Sequence, residues 1–258
     1  MGVYDMLEAL CATNKDFWEE TLHDINDAKF YYDRYNGGVN DNFLAERICD
    51  RCYDEAGAYS DYHTGATKVV FELGNLVFKV AFVGDVNFLG EEAYEELEEE
   101  DKDRYEWNGW KWQSFRLYDR KKDPDYCDVE ARVYQRAVEW GVEDFFAETA
   151  HIPNTNVYVQ KRYEMPIDEC DYHTLTQLSW NDGAEIINAY HLNGRNIPVV
   201  VANYWFENYS SAQLEKLSDF LKVFDINDLH SGNIAVFPDG SVKIIDYSGF
   251  NSNTSLLA

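Results

Sequence analysis

Phe224-Asp-Ile-Asn-Asp228-Leu-His-Ser-Gly-Asn233-Ile-Ala-Val236 runs straight into Phe237-Pro-Asp-Gly240-Ser-Val-Lys-Ile-Ile245-Asp246-Tyr-Ser-Gly249. Two short apolar runs, Ile234 to Phe237 and Ser241 to Ile245, flank Pro238-Asp239-Gly240, so this part reads as a hairpin. Proline presets φ ahead of the turn and glycine takes the positive φ within it. Upstream, Ser210-Ser-Ala-Gln213 has the form of a capping box and opens a helix through Leu214, Leu217, Leu221 and Phe224. Helix, polar loop and hairpin therefore follow in order. Asp228 lies five positions before Asn233, and Asp246 lies one hairpin further on. Singly, Asp and Asn are ordinary turn residues; their spacing is what carries weight.

Working outward, Thr67 to Leu73 and Leu76 to Phe82 read as two strands joined at Gly74-Asn75. In the second strand Leu76, Phe78, Val80 and Phe82 take one face, which puts Lys79 on the other with Val77 and Ala81. A lysine there is either solvated or aimed into a cleft. Before this pair, a weakly marked strand near 57–62 leads into His63-Thr-Gly65-Ala-Thr67. One glycine among small residues can present backbone N–H groups to phosphate, and a plain hairpin turn reads equally well. Asp128 to Trp140 reads as a helix capped by Asp128, striped by Val129, Val133, Ala137 and Trp140 and ended by Gly141, with Glu130 in its first turn. A further strand pair is expected at 150–152 and 157–163. The first fifty-odd residues read as helical, with Phe17, Leu22 and Ile25 on one stripe and Phe43, Leu44, Ile48 and Cys52 on a second that Gly57 ends. Residues 164–209 stay ambiguous, with helical stretches near 184–192.

The Asp228-x4-Asn233 loop, the hairpin and Asp246 resemble the catalytic loop and metal-binding segment of the protein-kinase-like superfamily. The wording Asp-Leu-His-x-Gly-Asn is closer to aminoglycoside phosphotransferases and atypical kinases than to eukaryotic protein kinases. Kinases carried by some lytic phages show a similar Phe-Asp, His-Ser-Gly-Asn-Ile run. The resemblance implies an α+β, bilobal kinase-like fold that binds ATP with Mg2+. Asp246 and Asn233 then supply hard oxygen ligands to the metal, and Asp228 orients the acceptor hydroxyl and receives its proton. Lys79 fits the family's strand lysine and Glu130 its helix partner, together positioning the α- and β-phosphates. Gly65 and Thr67 fall at the phosphate loop, and Tyr163 and Glu164 at the hinge that offers backbone groups to adenine. The implied division is a helical extension over 1–56, a small lobe over 57–164 with an acidic insertion at about 83–125, and a truncated large lobe over 165–258. Departures are clear. Ile226 and Asn227 replace the His and Arg of protein kinases, Asp246-Tyr-Ser replaces Asp-Phe-Gly, and only twelve residues follow Asp246.

The formal charge of −26 over 258 residues disfavours nucleic acid and anionic membrane surfaces as direct partners and favours a cationic one. No apolar run reaches the roughly 18 residues of a membrane span, the N-terminus lacks a secretory pattern, and five cysteines do not suggest a disulfide framework. A reducing cytoplasm, that of a host cell if the chain is phage-encoded, is the expected setting. Cys49-x-x-Cys52 has no second pair at zinc spacing and reads as a buried helix face. Glu91 to Glu100 repels itself at i,i+4 and reads as solvated. Trp107, Trp110 and Trp112 read as core, docking the insertion, or as a partner surface. His230 reads as a brace for the loop. The expected function is phosphoryl transfer to a serine or threonine hydroxyl of a protein, a basic one on charge grounds. Phosphorylation of an aminoglycoside-like small molecule is the alternative within the enzyme class, with AMP transfer a further variant. An acidic, kinase-like binding protein that blocks a basic partner is the alternative outside it.

Overall fold

The computed structural model describes residues 2–178, 180 and 183–246, and the chain divides into two compact units. Among the described residues, Val3–Cys127 and His151–Val159 form the first, and Asp128–Ala150 with those of 160–246 form the second. Helices and strands are mixed in an α+β arrangement.

In the first unit, α1 (Val3–Thr13), α2 (Lys15–Asp27) and α3 (Asn42–Ala56) pack in sequence. Asp41 caps α3 by accepting the Leu44 N–H at 2.9 Å, and Gly57 ends it at φ 57°. The buried face of α3 is Ala45, Ile48, Cys49 and Cys52. Phe43, expected on that stripe, is instead 74% exposed. Arg51 ties α3 to α2 by donating to Asp24 at 2.8 Å and to the Thr21 hydroxyl at 2.9 Å. Burial pushes the Cys49 and Cys52 thiols up to about 12 and 11, so both behave as inert core residues.

The all-helical reading of the first fifty-odd residues is corrected by two strands, β1 (Tyr31–Asp33) and β2 (Gly38–Val39). Runs of three and two residues carry no detectable period, and they pair only through the turn that Asp33 organises by accepting the Tyr35 and Asn36 N–H groups. Next, β3 (Ser60–Thr64), β4 (Lys68–Leu73) and β5 (Leu76–Ala81) form an antiparallel meander. Its register pairs Lys68 with Ala81, Val70 with Lys79 and Glu72 with Val77, so Lys68, Glu72 and Lys79 share one face. Val69, Phe71, Leu73, Leu76, Phe78 and Val80 fill the other, and all six are buried.

The acidic insertion is no loose loop. β6 (Gly84–Leu89) pairs parallel with β1 and antiparallel with β8 (Trp112–Leu117), which also takes β7 (Glu106–Trp107), giving the sheet order β2-β1-β6-β8-β7. Gly84 permits this pairing, because a Cβ there would lie 2.1 Å from the Arg116 carbonyl oxygen. Between β6 and β7, α4 (Glu91–Glu95) and α5 (Glu99–Lys102) bury nothing, as the repelling glutamates imply. Trp112 stacks on Tyr94 at 3.8 Å, which docks the insertion. Trp107 and Trp110 are 52% and 68% exposed, which corrects the core reading for those two. β9 (Ala150–His151) and β10 (Val157–Lys161) complete the first sheet, in the order β3-β4-β5-β10-β9.

The second unit starts within α6 (Tyr126–Trp140). Asp125 accepts the Cys127 N–H at 2.9 Å and so does the capping expected of Asp128, which lies in the first turn paired with Arg132 at 2.8 Å. Val129, Val133 and Ala137 enter a core shared with α7 (Glu169–Thr176), α8 (Gly183–Ala189), α9 (Val199–Asn208) and α10 (Ser211–Val223). The capping box of Ser210 and Gln213 forms as the sequence implies. Region 164–209 was illegible because α9 opens Val-Val-Val and is buried on several sides. Such a run has no amphipathic stripe and scores as strand. β11 (Ile234–Val236) and β12 (Val242–Ile244) form the expected hairpin, with Ile234 opposite Ile244.

Candidate active site

The loop between α10 and β11 is held from several sides. α10 ends as the Ile226 N–H reaches the Leu221 carbonyl at 2.9 Å, and Asp225 takes a left-handed φ of 52° to turn the chain. Ile226 and Leu229 are buried as anchors. The Leu229 N–H donates to the Arg195 carbonyl at 2.8 Å. Tyr172 donates its hydroxyl to the carbonyls of Ser231 and Ile234, and burial holds that phenol well above its ordinary range. The Ser231 hydroxyl donates to the Ile167 carbonyl at 3.1 Å.

Within this frame Asp228, Asn233 and Asp246 are brought together. Asn233 is buried and donates its side-chain amide to the Asp228 carbonyl at 2.7 Å. That bond commits Nδ2, so any ligand role of Asn233 falls to Oδ1. The Asn233 carbonyl in turn accepts the N–H groups of Ile245 at 2.9 Å and Asp246 at 3.4 Å, which clamps the end of the hairpin to the loop. Asp228 keeps a carboxylate 39% exposed that makes no hydrogen bond among the described residues. His230 Nδ1 accepts the Gly232 N–H at 3.0 Å, and its Nε2 lies 3.9 Å from Asp228 Oδ1. This is the bracing geometry expected of His230. Tyr247 and Ser248 lie outside the described residues.

Glu130, also in the second unit, is 1% exposed on α6. It is no exposed helix-start carboxylate, and a carboxylate so buried is held by partners. Tyr163 is buried and packs its ring 5.7 Å from that of Phe237. Glu164 donates its N–H to the Val236 carbonyl at 2.8 Å and accepts the Val236 N–H at 2.9 Å. Both backbone groups of Glu164 are therefore engaged with Val236 inside the fold.

In the first unit, Lys79 is 2% exposed and has its interactions within the protein, so the solvated alternative is excluded. It sits on the polar face of the meander beside Val70. His63, across that face, lies 3.2 Å from Glu72, and this hydrogen bond raises its pKa above the ordinary 6.5. Gly65 and Thr67 flank the exposed β3–β4 turn. The Thr67 carbonyl accepts the Phe82 N–H at 3.0 Å, which ties the turn to the end of the lysine-bearing strand.

Asn233 Oδ1 and the Asp246 carboxylate are hard oxygen donors, the chemistry Mg2+ takes when one or two carboxylates hold it and water and phosphate oxygens fill its shell. Among the described residues no three His, Cys, Asp or Glu side chains form a metal cage, and Mg2+ held in that manner needs none. Sequence reasoning passed over Tyr172 and Arg195, which hold the loop through a hydroxyl and a main-chain carbonyl. Neither contact leaves a mark on residue spacing. No family model, curated protein or solved structure matches this chain.

Proposed function

We propose that the chain is an ATP- and magnesium-dependent phosphotransferase of the kinase-like kind, with a protein serine or threonine hydroxyl as its acceptor. The observation that carries this reading is the clamp just described. One residue, Asn233, holds Asp228 through its side chain and Asp246 through its carbonyl. Both contacts are to main-chain groups, so they fix the backbone from which the Asp228 and Asp246 side chains project.

In the proposed reaction Asp228 accepts the proton of the acceptor hydroxyl as that oxygen bonds the terminal phosphorus, while the bond from phosphorus to the ADP oxygen breaks. The partly exposed Asp228 carboxylate is placed to meet an incoming hydroxyl. Bound Mg2+ supplies neutralisation of the phosphate charge. Asp246 and Asn233 Oδ1 are the side chains that would hold it. The family resemblance gives Lys79 the role of positioning the phosphates and Glu130 that of its helix partner, and each is buried within its own unit.

The charge of −26 and the solvated glutamates of α4 and α5 support a basic protein as the acceptor. The test is ADP release with Mg2+, ATP and a basic protein. Asp228→Asn is expected to lower kcat by about 10²–10⁴-fold while leaving ATP affinity close to wild type. Unchanged turnover in that variant would remove Asp228 from the chemistry.

A further inference from the structure

Strong negative charge makes a positively lined cavity conspicuous, and the first unit has one. It measures about 240 Å³ and its walls include Thr67, Arg116, Tyr118, Arg120, Lys122 and Asp123. Three cations there face one carboxylate.

Counting the neighbours, Arg34, Arg116, Arg120 and Lys122 stand against Asp85, Asp119 and Asp123, which leaves a small positive excess. Arg116 reaches the buried Asp85 at 2.8 Å, but Arg34 reaches the same oxygen at 2.8 Å, so two guanidiniums divide one negative charge. Arg120 donates to the carbonyls of Phe82 and Pro124, which orients it and cancels nothing. Lys122 meets Asp119 only at 3.8 Å, with its side chain 83% exposed. Tyr118 lies under both arginines, with guanidinium carbons 5.4 and 5.6 Å from its ring centre, so the pair is held in place ahead of any ligand. At the rim, neither the Thr67 hydroxyl nor the N–H groups of Ala66 and Thr67 have a hydrogen-bond partner among the described residues.

We infer that this cavity is an oxyanion site that takes a phosphate group, free or as the ester end of a small ligand. Paired arginines, an exposed lysine, a hydroxyl and turn N–H groups are the donors that a tetrahedral, multiply charged anion needs. The volume falls below the ~300–1,000 Å³ of pockets for drug-sized molecules, which suits a single phosphate head. The site does not rest on the phosphotransferase reading. Apart from Ala66 and Thr67 of the β3–β4 turn, its residues come from the insertion and the segment after it, and none is Lys79, Glu130, Asp228, Asn233 or Asp246.

The test is calorimetric titration of the full chain in low-chloride buffer, with inorganic phosphate in one arm and glycerol 3-phosphate in the other. Saturable one-site binding is expected in at least one arm, and the tighter probe tells free anion from ester. Lys122→Glu should weaken it by at least about tenfold, since it replaces attraction with repulsion at the wall. Lys121→Glu makes the same change in net charge outside the cavity lining and should change affinity less than about threefold, the part that solvent screens. Both lysines are exposed, so both variants should fold. Asp246→Ala should bind phosphate as wild type does, which separates this site from any nucleotide site. Absence of saturable binding in both arms, or equal loss in the two lysine variants, would overturn the inference.

Discussion

Asn233 is the residue on which the candidate site turns, and its neighbours are specified tightly enough to test one by one. Gly232, next to it, is required by space. A Cβ there would lie 2.9 Å from His230 Cε1 and 3.1 Å from Nδ1, closer than a carbon tolerates. Gly232→Ala should push the half-exposed imidazole away and break the Gly232 N–H to Nδ1 bond, costing about 0.5–1.5 kcal/mol. Urea denaturation reads the loss, and an unchanged midpoint would mean that the ring swings clear without consequence. His63 offers a second residue-level test. Its hydrogen bond to Glu72, reinforced by the charges of Glu72 and Asp61, raises the folded-state pKa above 6.5. A raised histidine pKa contributes stability that is fully present below pH 6.5 and is lost as pH rises through the folded value. His63→Gln should therefore lower Tm in mildly acidic buffer and have little effect above that window. A histidine proton titration by NMR with a midpoint at or below 6.5 would contradict the pairing.

Elements were legible where chemistry is local and illegible where it is not. Ser210 to Gln213 declared a helix start because a capping box is written in four consecutive residues, and the box forms. Ser210→Ala should cost about 1 kcal/mol, seen as a lower Tm, since the Gln213 N–H loses its acceptor. No change in Tm would assign the helix start to packing alone. Hairpins behaved likewise: Gly74 and Gly240, at φ 64° and 81°, sit where the turns were placed. By contrast β1 and β6 pair in parallel across some fifty residues of chain, and nothing in either short run names its partner. α9 hid for the opposite reason, being apolar enough to look like strand. The candidate site was legible through Asp228, Asn233 and Asp246, whose spacing reflects one loop and one hairpin. Its supports, Tyr172 and Arg195, act through contacts made only after α7 and the segment before α9 have packed.

At the scale of the molecule the chain combines an acidic sequence with several buried charged side chains, Asp33, Lys68, Lys79, Asp85 and Glu130 among them. Lys79 in the first unit and Glu130 in the second are each almost wholly withdrawn from water. Burying such groups costs several kcal/mol unless partners compensate, so a fold keeps them where specific polar work is needed. The same molecule places net positive charge around one small cavity of the insertion and dense negative charge on α4 and α5. That division is suited to handling phosphate in one place and a basic protein in another. The central claim is that Asn233 and Asp246 complete a magnesium–nucleotide site. Its most direct test is calorimetric titration of the full chain with ATP, with Mg2+ present and again with EDTA, for the wild type and Asp246→Ala. The expected result is saturable binding that weakens by about tenfold or more both on chelation and in the variant. ATP that fails to bind the wild type, or binds Asp246→Ala equally well with Mg2+, would contradict it.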